Sequence, residues 1–205
     1  MKNNLLSDKL AYNGDTKTRT HLHLCSYTVD RVEEAAGDDF GEMKSRFQPD
    51  GITWLQIHGL EDTDAVQTVC THFGIDFLVM QDILNTDHAS KVEEHDQYNV
   101  IIAKQIMGGE AMQVSLVQGA DFVLTFQERD NDFFDDVMRA IRNNVLKIRT
   151  RQSDYLFSVL LNGLITGYMS VAAAISDGLE ELESALLAET GTSEYRCRRS
   201  EEHTS

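Results

Sequence analysis

Cysteine and proline are scarce in this chain of 205 residues, which has one proline and three cysteines. Cys25, Cys70 and Cys197 lie far apart and form no C-x-x-C pair, so the sequence excludes a zinc ribbon and a disulfide framework. Phosphate-loop, dinucleotide-binding, nucleophile-elbow and H-E-x-x-H motifs are all missing. An enzymatic function would therefore depend on scattered carboxylates alone.

Basic residues are also few, because 34 acidic side chains outnumber 18 basic ones and give a net charge of −16. A negative field of this size repels nucleic acid and anionic lipid headgroups, and it concentrates cations. We therefore expect no nucleic-acid partner. The same charge also serves plain solubility, so it permits a cation-binding role without requiring one.

The sequence divides into four parts. Residues 1–20 are polar and lack a clean period, which predicts a flexible terminus. Residues 21–150 carry the patterns of an α/β domain, and residues 151–192 those of a long helix packing on that domain. The character changes abruptly after Thr192, so residues 193–205 are predicted to be a vector-derived tail.

Hydrophobic periodicity predicts the elements within the α/β domain. Strands are expected at 22–29 and 52–57, with a loop and a short helix between them. Two helices follow, at 63–73 and 77–84, the first capped by Asp62 or Thr63. Beyond them we predict three antiparallel strands joined by glycine-containing turns, at 100–103, 112–117 and 122–126. A further helix is predicted at 132–143.

The long helix contains an uncharged stretch from Tyr155 to Ser176. Roughly 20 apolar residues can span a bilayer, so a transmembrane helix is one interpretation. Recurrent polar side chains within the stretch, and Asp154 and Asp177 at its ends, instead favour a buried core helix.

Two histidines have the spacing of a metal-binding pair. His21 and His23 lie two apart on a predicted strand and so share one face, as a metal-binding pair would. No third ligand is apparent from the sequence, which favours ordinary exposed histidines. His58, at the end of the next strand, is interpreted as a surface or capping residue.

Carboxylates and histidines are dense between residues 81 and 96. Hard oxygen ligands of this kind suit Mg²⁺ or Ca²⁺. The spacing does not match an EF-hand loop, because no glycine and no terminal glutamate fall in register. Spacing alone therefore favours a solvated loop.

Ordered motifs over roughly residues 52–187 resemble the cytoplasmic domain of CorA-type magnesium and cobalt transporters. That family commonly shows F-G-I-x-x-L-V-x-E-D-I-L-N and then K-V-E-x-x-x-x-Y. The matching segments here are Trp54, Gly59-Leu60, Gly74-Ile75, Leu78 to Asn85, Lys91 to Glu94, Gln113 to Leu116, Phe122 to Glu128, Arg139 to Asn143 and Asp154-Tyr155-Leu156.

The resemblance implies a three-layer α/β/α sandwich with a mixed parallel and antiparallel sheet, followed by a long helix. It also implies a homopentamer in which Mg²⁺, held between neighbouring cytoplasmic domains, keeps the pore closed. The family's acidic sensor pair falls on Gln81 and Asp82, and a further sensor aspartate aligns with Asn162. One carboxylate thus stands where the family can offer three.

These expectations make the chain a regulatory, ion-sensing domain of a Mg²⁺/Co²⁺ transport protein at the cytoplasmic face of the bacterial inner membrane, and not an enzyme. The stalk, the membrane helices and the Gly-Met-Asn pore signature are expected outside this chain. Three alternatives stay open. They are a zinc-transporting relative of the same fold, a free-standing interaction domain, and a metal-dependent hydrolase using Asp87, His88, Glu93 and His95.

Overall fold

The computed structural model describes residues 9–201, with side chains described as far as Leu187. Seven strands, five α-helices and one 3₁₀ helix follow one another along this part of the chain. In order they are β1 (His21–Tyr27), β2 (Val32–Gly37), α1 (Phe40–Lys44), β3 (Ile52–His58), α2 (Thr63–His72), α3 (Phe77–Leu84), β4 (Lys91–Glu94), β5 (Tyr98–Met107), β6 (Glu110–Gly119), β7 (Phe122–Gln127), α4 (Asp135–Arg142), the 3₁₀ helix (Val145–Thr150) and α5 (Ser153–Glu201).

The strands form one sheet in the order β2-β1-β3-β7-β6-β5-β4. Only β3 and β7 run parallel, and every other neighbouring pair is antiparallel. The predicted mixed sheet is thus confirmed, with one parallel pair and five antiparallel pairs. The pairing of β3 with β7 brings the end of β3 beside the loop that follows β7.

Alternating side chains place a hydrophobic core on each face of the sheet, because successive residues of a strand point to opposite sides. Leu55 and Ile57 of β3 lie in a first core that includes the buried sides of α2 and α3. Trp54 of the same strand lies in a second core with α4 and the start of α5. The three-layer α/β/α sandwich is therefore confirmed.

Two edge strands, β2 and β4, lie where the sequence predicted loops. Val32–Gly37 has the sequence VEEAAG, and Lys91–Glu94 has KVEE, so neither shows a run of buried apolar residues. Val92 is 73% exposed. Edge strands bury little surface, so they have little hydrophobic pattern to detect.

Residues 9–20 form no helix or strand, but several of them contact the domain. Leu10 and Tyr12 pack against the first core, and the Tyr12 hydroxyl donates to the Glu128 carboxylate over 3.0 Å. The Asn13 side chain accepts from the Thr86 backbone N–H over 2.7 Å. These contacts hold the described part of the terminus against the domain, and its first eight residues lie outside the described part of the chain. Flexibility of the terminus stays a prediction.

Among the described side chains of α5, only those near its start are buried. Leu156, Leu160 and Leu164 recur at helical spacing in the second core, whereas Met169 and Ile175 are 66% and 59% exposed. The burial predicted for the uncharged stretch is therefore wrong beyond Leu164.

The chain divides into two compact units after Leu164, three turns into α5. By length and composition alone, the segment Ser153–Leu187 is apolar enough to cross a membrane. The helical backbone continues to Glu201, through residues 193–201 of the predicted vector-derived tail. The origin of that tail stays a prediction, and residues 202–205 lie outside the described part.

Candidate cation-binding sites

Asp82, the residue that the resemblance places in a sensor pair, lies on the outer side of α3. Helix α3 buries its apolar stripe, so Asp82 faces outwards with its side chain 25% exposed. One carboxylate oxygen lies 2.5 Å from the Lys91 ammonium, and the other lies 3.3 Å from Nε2 of His88. The carboxylate is thus already paired with a cation of the same chain.

Lys91 sits between two carboxylates, because its ammonium also donates to Glu93 over 2.9 Å. Burial alone would lower the pKa of Lys91, but the hydrogen bonds to Asp82 and Glu93 raise it above its ordinary value. The hydrogen bond from Lys91 in turn lowers the pKa of Glu93. A divalent cation at Asp82 must therefore displace Lys91 or share the carboxylate with it.

Gln81 and Asn162, the other two predicted ligands, lie on different sides of the sheet. Gln81 is half-buried beside Asp82 on α3, which packs in the first core. Asn162 is exposed on α5, which packs in the second core. A single chain does not bring the two amides together, so only two copies can make them neighbours.

The residues of the proposed hydrolase do not converge on a metal site. Asp87 is exposed, and Nδ1 of His88 lies 2.8 Å from the Ala89 carbonyl oxygen. Nε2 of His95 lies 3.5 Å from Glu93, and its ring stacks on another aromatic ring. Within residues 9–201, no three-ligand group of the kind a metal needs forms here.

A three-ligand group does form elsewhere, from His23, His58 and Asp130. Their ligand atoms all lie within 4.8 Å of one another. Nδ1 of His58 is 3.0 Å from a carboxylate oxygen of Asp130, and the centroids of the two imidazole rings are 5.0 Å apart. His21 and His23 share a face as predicted, and their ring centroids lie 4.8 Å apart.

His58 is buried, with only 2% of its surface exposed, which corrects its interpretation as a surface or capping residue. Nε2 of His23 has no hydrogen-bond partner among the described residues. Neither ring nitrogen of His58 makes a well-aligned hydrogen bond, although Nδ1 faces Asp130 at 3.0 Å and the Arg129 backbone is close enough to raise the pKa of His58. Buried polar atoms in proteins usually have partners. These three nitrogens are therefore an exception that calls for a ligand.

Both imidazoles favour their neutral form. Burial lowers the pKa of His58 to about 4, against the opposing attraction of Asp130. Burial also lowers the pKa of His23, again against Asp130. A neutral imidazole offers the lone pair that a metal or a hydrogen-bond donor requires.

The sequence model of the family described as CorA-like Mg²⁺ transporter protein matches residues 49–198, which is most of the chain. The chain belongs to the CorA-like Mg²⁺ transporter family. The matched range includes the α3 segment with Gln81 and Asp82 and the start of α5 with Asn162.

A curated CorA relative, the cobalt/magnesium transport protein CorA of Thermotoga maritima, is 32% identical over 192 residues. That alignment covers 91% of this chain but 55% of the relative. The chain thus spans about half the length of the CorA protein it matches.

Solved structures show that the fold is that of the CorA soluble domain. The soluble domain of CorA from Methanocaldococcus jannaschii superposes with a TM-score of 0.58 at 20% identity, covering 80% of this chain and 64% of that one. The cytoplasmic domain of ZntB from Vibrio parahaemolyticus gives a TM-score of 0.55 at 10% identity, covering 78% and 64%. At these identities the likeness concerns the fold alone.

The sequence indicates one part of the histidine cluster and not the cluster as a whole. The two-residue spacing on β1 revealed the shared face of His21 and His23. Asp130 lies beside the two histidines because β1 pairs with β3, and β3 pairs in parallel with β7. Such long-range pairing leaves no local signal, although a histidine in an otherwise apolar strand end was a sign that His58 is buried.

Proposed function

We propose that this chain is the cytoplasmic regulatory domain of a Mg²⁺/Co²⁺ transport protein of the CorA family. The observation that carries the proposal is the family match over residues 49–198, together with the named function of the Thermotoga maritima relative. The net charge of −16 supports it, because an acidic domain concentrates divalent cations.

Asp82 is the proposed point of contact for regulatory Mg²⁺, with Gln81 and Asn162 contributing amide oxygens across a boundary between two copies. Mg²⁺ usually takes one or two protein carboxylates and keeps several waters, so this donor set fits a hydrated ion. Bound Mg²⁺ supplies positive charge between acidic neighbours. Lys91 supplies the positive charge to Asp82 when no ion is present.

Regulation by such a site is a matter of linkage. A ligand shifts an equilibrium only by its differential affinity for the two states. If two copies complete the site only when they are close, Mg²⁺ favours the close arrangement, and its loss leaves acidic surfaces facing each other. The proposed consequence is a closed transporter at high Mg²⁺ and a loosened ring of subunits at low Mg²⁺.

A homopentamer is the proposed assembly of the full-length protein, and the second half of α5 supports self-association. Ile175, Leu179 and Leu182 lie on one helical stripe and are about 60% exposed. Apolar residues at a spacing of three and four form the seams of helical assemblies. Further copies of the same helix would cover this stripe.

Zinc transport by a relative of the same fold is the second candidate. The ZntB neighbour supports it at the level of fold alone, and the replacement of sensor carboxylates by Gln81 and Asn162 leaves room for it. A comparison of Mg²⁺, Co²⁺ and Zn²⁺ in thermal melts of wild type and Asp82→Ala separates the candidates by the ion whose stabilisation depends on Asp82.

The decisive experiment substitutes Asp82 in the full-length protein. In an Asp82→Ala variant we expect transport to lose its inhibition by Mg²⁺, measured as ion uptake across a Mg²⁺ titration. Asp87→Ala is the matched control, because it removes a nearby carboxylate that is exposed. Unchanged Mg²⁺ inhibition in Asp82→Ala would remove this residue from the regulatory site.

A further inference from the structure

We propose that His23, His58 and Asp130 form a binding site for a divalent metal ion of borderline softness, and that the bound ion is Zn²⁺ or Co²⁺. This site lies on the α4 and α5 side of the sheet, whereas Asp82 lies on a helix of the other side. It is therefore separate from the proposed Mg²⁺ site, and neither proposal depends on the other.

Three different elements converge on the site. His23 comes from β1 and His58 from the last position of β3, where the antiparallel register sets His21 opposite His58. Asp130 follows β7, whose last residue pairs in parallel with His58. The site thus lies at the carboxyl end of the sheet's one parallel pair, which is where α/β sheets commonly bind ligands.

The ligand types select the class of metal. Two imidazoles and one carboxylate suit Zn²⁺, Co²⁺ and related ions, whereas Mg²⁺ and Ca²⁺ prefer oxygen ligands alone. Three protein ligands leave at least one coordination position open, as in a zinc site that keeps a bound water. The chemistry of the cluster is thus distinct from that of a hydrated Mg²⁺ site.

The geometry needs only a small closure around an ion. Ligand atoms about 2.0–2.2 Å from a tetrahedral metal are about 3.3 Å apart. The distance of 3.0 Å between Nδ1 of His58 and a carboxylate oxygen of Asp130 is already close to this value. All ligand atoms of the group lie within 4.8 Å of one another. The Asp130 side chain is 61% exposed and can change rotamer, and a cavity of about 380 Å³ lies beside the ligands.

The surrounding charges also favour a cation. Asp135 lines the same cavity, and the one arginine in that lining, Arg142, is engaged by both carboxylate oxygens of Glu34 at 2.6 and 2.5 Å. A bound ion would be ligated by one ring nitrogen of His58 and one of His23, and these nitrogens otherwise lack well-aligned partners at a cost.

Titration of the full chain with Zn²⁺ tests the site, with binding followed by calorimetry and repeated with Co²⁺ by its visible absorption. A Cys197→Ser background removes a thiol that would compete for these ions. We expect one Zn²⁺ per chain, and a loss of affinity in Asp130→Asn and in His23→Gln. The loss should exceed the roughly 10–100-fold that removal of an outer-shell partner costs.

Two controls define the outcome. His21→Gln removes a neighbouring, partly exposed imidazole whose Nδ1 is hydrogen-bonded to Asp38 at 2.6 Å, and it should keep Zn²⁺ affinity within a few-fold. Asp82→Asn should keep it as well, which separates this site from the proposed Mg²⁺ site. Equal Zn²⁺ affinity in wild type, Asp130→Asn and His23→Gln would overturn the proposal, as would a wild-type chain that binds no Zn²⁺.

His58→Gln is the more stringent variant, but it alters a buried side chain. Its folding is therefore checked by thermal melting before the titration, and the two partly exposed ligands carry the conclusion. In the full-length protein, Mg²⁺ inhibition of transport should persist in Asp130→Asn. Loss of that inhibition would show that the cluster belongs to the Mg²⁺ response and not to a separate site.

Discussion

Tyr98 shows how one buried side chain secures the start of α3. Its hydroxyl donates to a carboxylate oxygen of Asp76 over 2.7 Å and accepts from the Asp76 backbone N–H over 3.0 Å. Asp76 is the residue that precedes α3, and its own side chain makes no capping bond to the helix. A tyrosine from β5 thus satisfies one of the backbone donors at the helix start.

Substitution of Tyr98 by phenylalanine should lower the free energy of unfolding by about 1 kcal/mol at neutral pH, because it removes both bonds. Urea denaturation measures the change. Tyr155→Phe is the matched control, since that ring packs against the second core and beneath Arg151, contacts that phenylalanine keeps. An equal loss in both variants would mean that the Asp76 contacts contribute nothing.

The same substitution should matter less at high pH. Burial and the hydrogen bond with Asp76 raise the pKa of Tyr98 from 10 to about 12, so the folded chain holds the phenol proton more tightly than the unfolded chain. That stabilisation is complete below pH 10 and is lost as the pH rises towards 12. The stability difference between wild type and Tyr98→Phe should therefore narrow across this interval in urea titrations.

Two glycines, one after a strand and one after a helix, have similar positive φ angles and can be compared directly. Gly59, directly after β3, has φ +79°, and Gly74, directly after the C-cap residue Phe73 of α2, has φ +69°. A Cβ at Gly59 would lie 2.5 Å from the Thr18 carbonyl oxygen, whereas a Cβ at Gly74 would meet nothing within 4 Å. Only the first position combines left-handed backbone with a close approach of another segment.

Gly74→Ala should therefore cost about 1–2 kcal/mol, the usual penalty for the left-handed conformation. Gly59→Ala should cost clearly more, because residues 18 and 19 must also move away from the end of β3. Thermal and urea unfolding of both variants measure the two costs. Equal losses of unfolding free energy in the two variants would show that residues 18 and 19 move away from residue 59 without an energetic cost.

The elements that the sequence predicted correctly are those that bury a periodic apolar surface. Helices α2 and α3 and strands β3 and β7 appear within a residue or two of their predicted ends, and Asp62 caps α2 as expected, by accepting from the Ala65 N–H. The edge strands β2 and β4 escaped notice because their side chains are largely polar. Helix α4 begins at Asp135, three residues later than the predicted start at Asp132.

The sites were predictable to a smaller extent than the fold. Asp82 came from family resemblance, and no spacing rule could show that Lys91 would pair with it. His23 and His58 are 35 positions apart in sequence, and Asp130 is 72 beyond His58, so only the strand order brings them together. Long-range pairing thus assembles the cluster that local patterns left incomplete.

The charge of the whole molecule sets the background for every cation effect. With a net charge of −16, self-repulsion weakens the folded state, and any added salt screens it. A rise in melting temperature with MgCl₂ is therefore not by itself a sign of a site. The informative quantity is the rise in MgCl₂ beyond that in NaCl of equal ionic strength.

We expect wild-type protein to show such an excess and Asp82→Asn to lose it. A ligand at 100 times its dissociation constant stabilises by about 2.7 kcal/mol, which is large enough to separate from screening. Asp87→Asn removes the same charge from an exposed position and should retain the excess. If two copies share the site, the excess should also grow with protein concentration, because mass action then links ion binding to association. An excess of equal size in Asp82→Asn would place the Mg²⁺ contact elsewhere on the acidic surface.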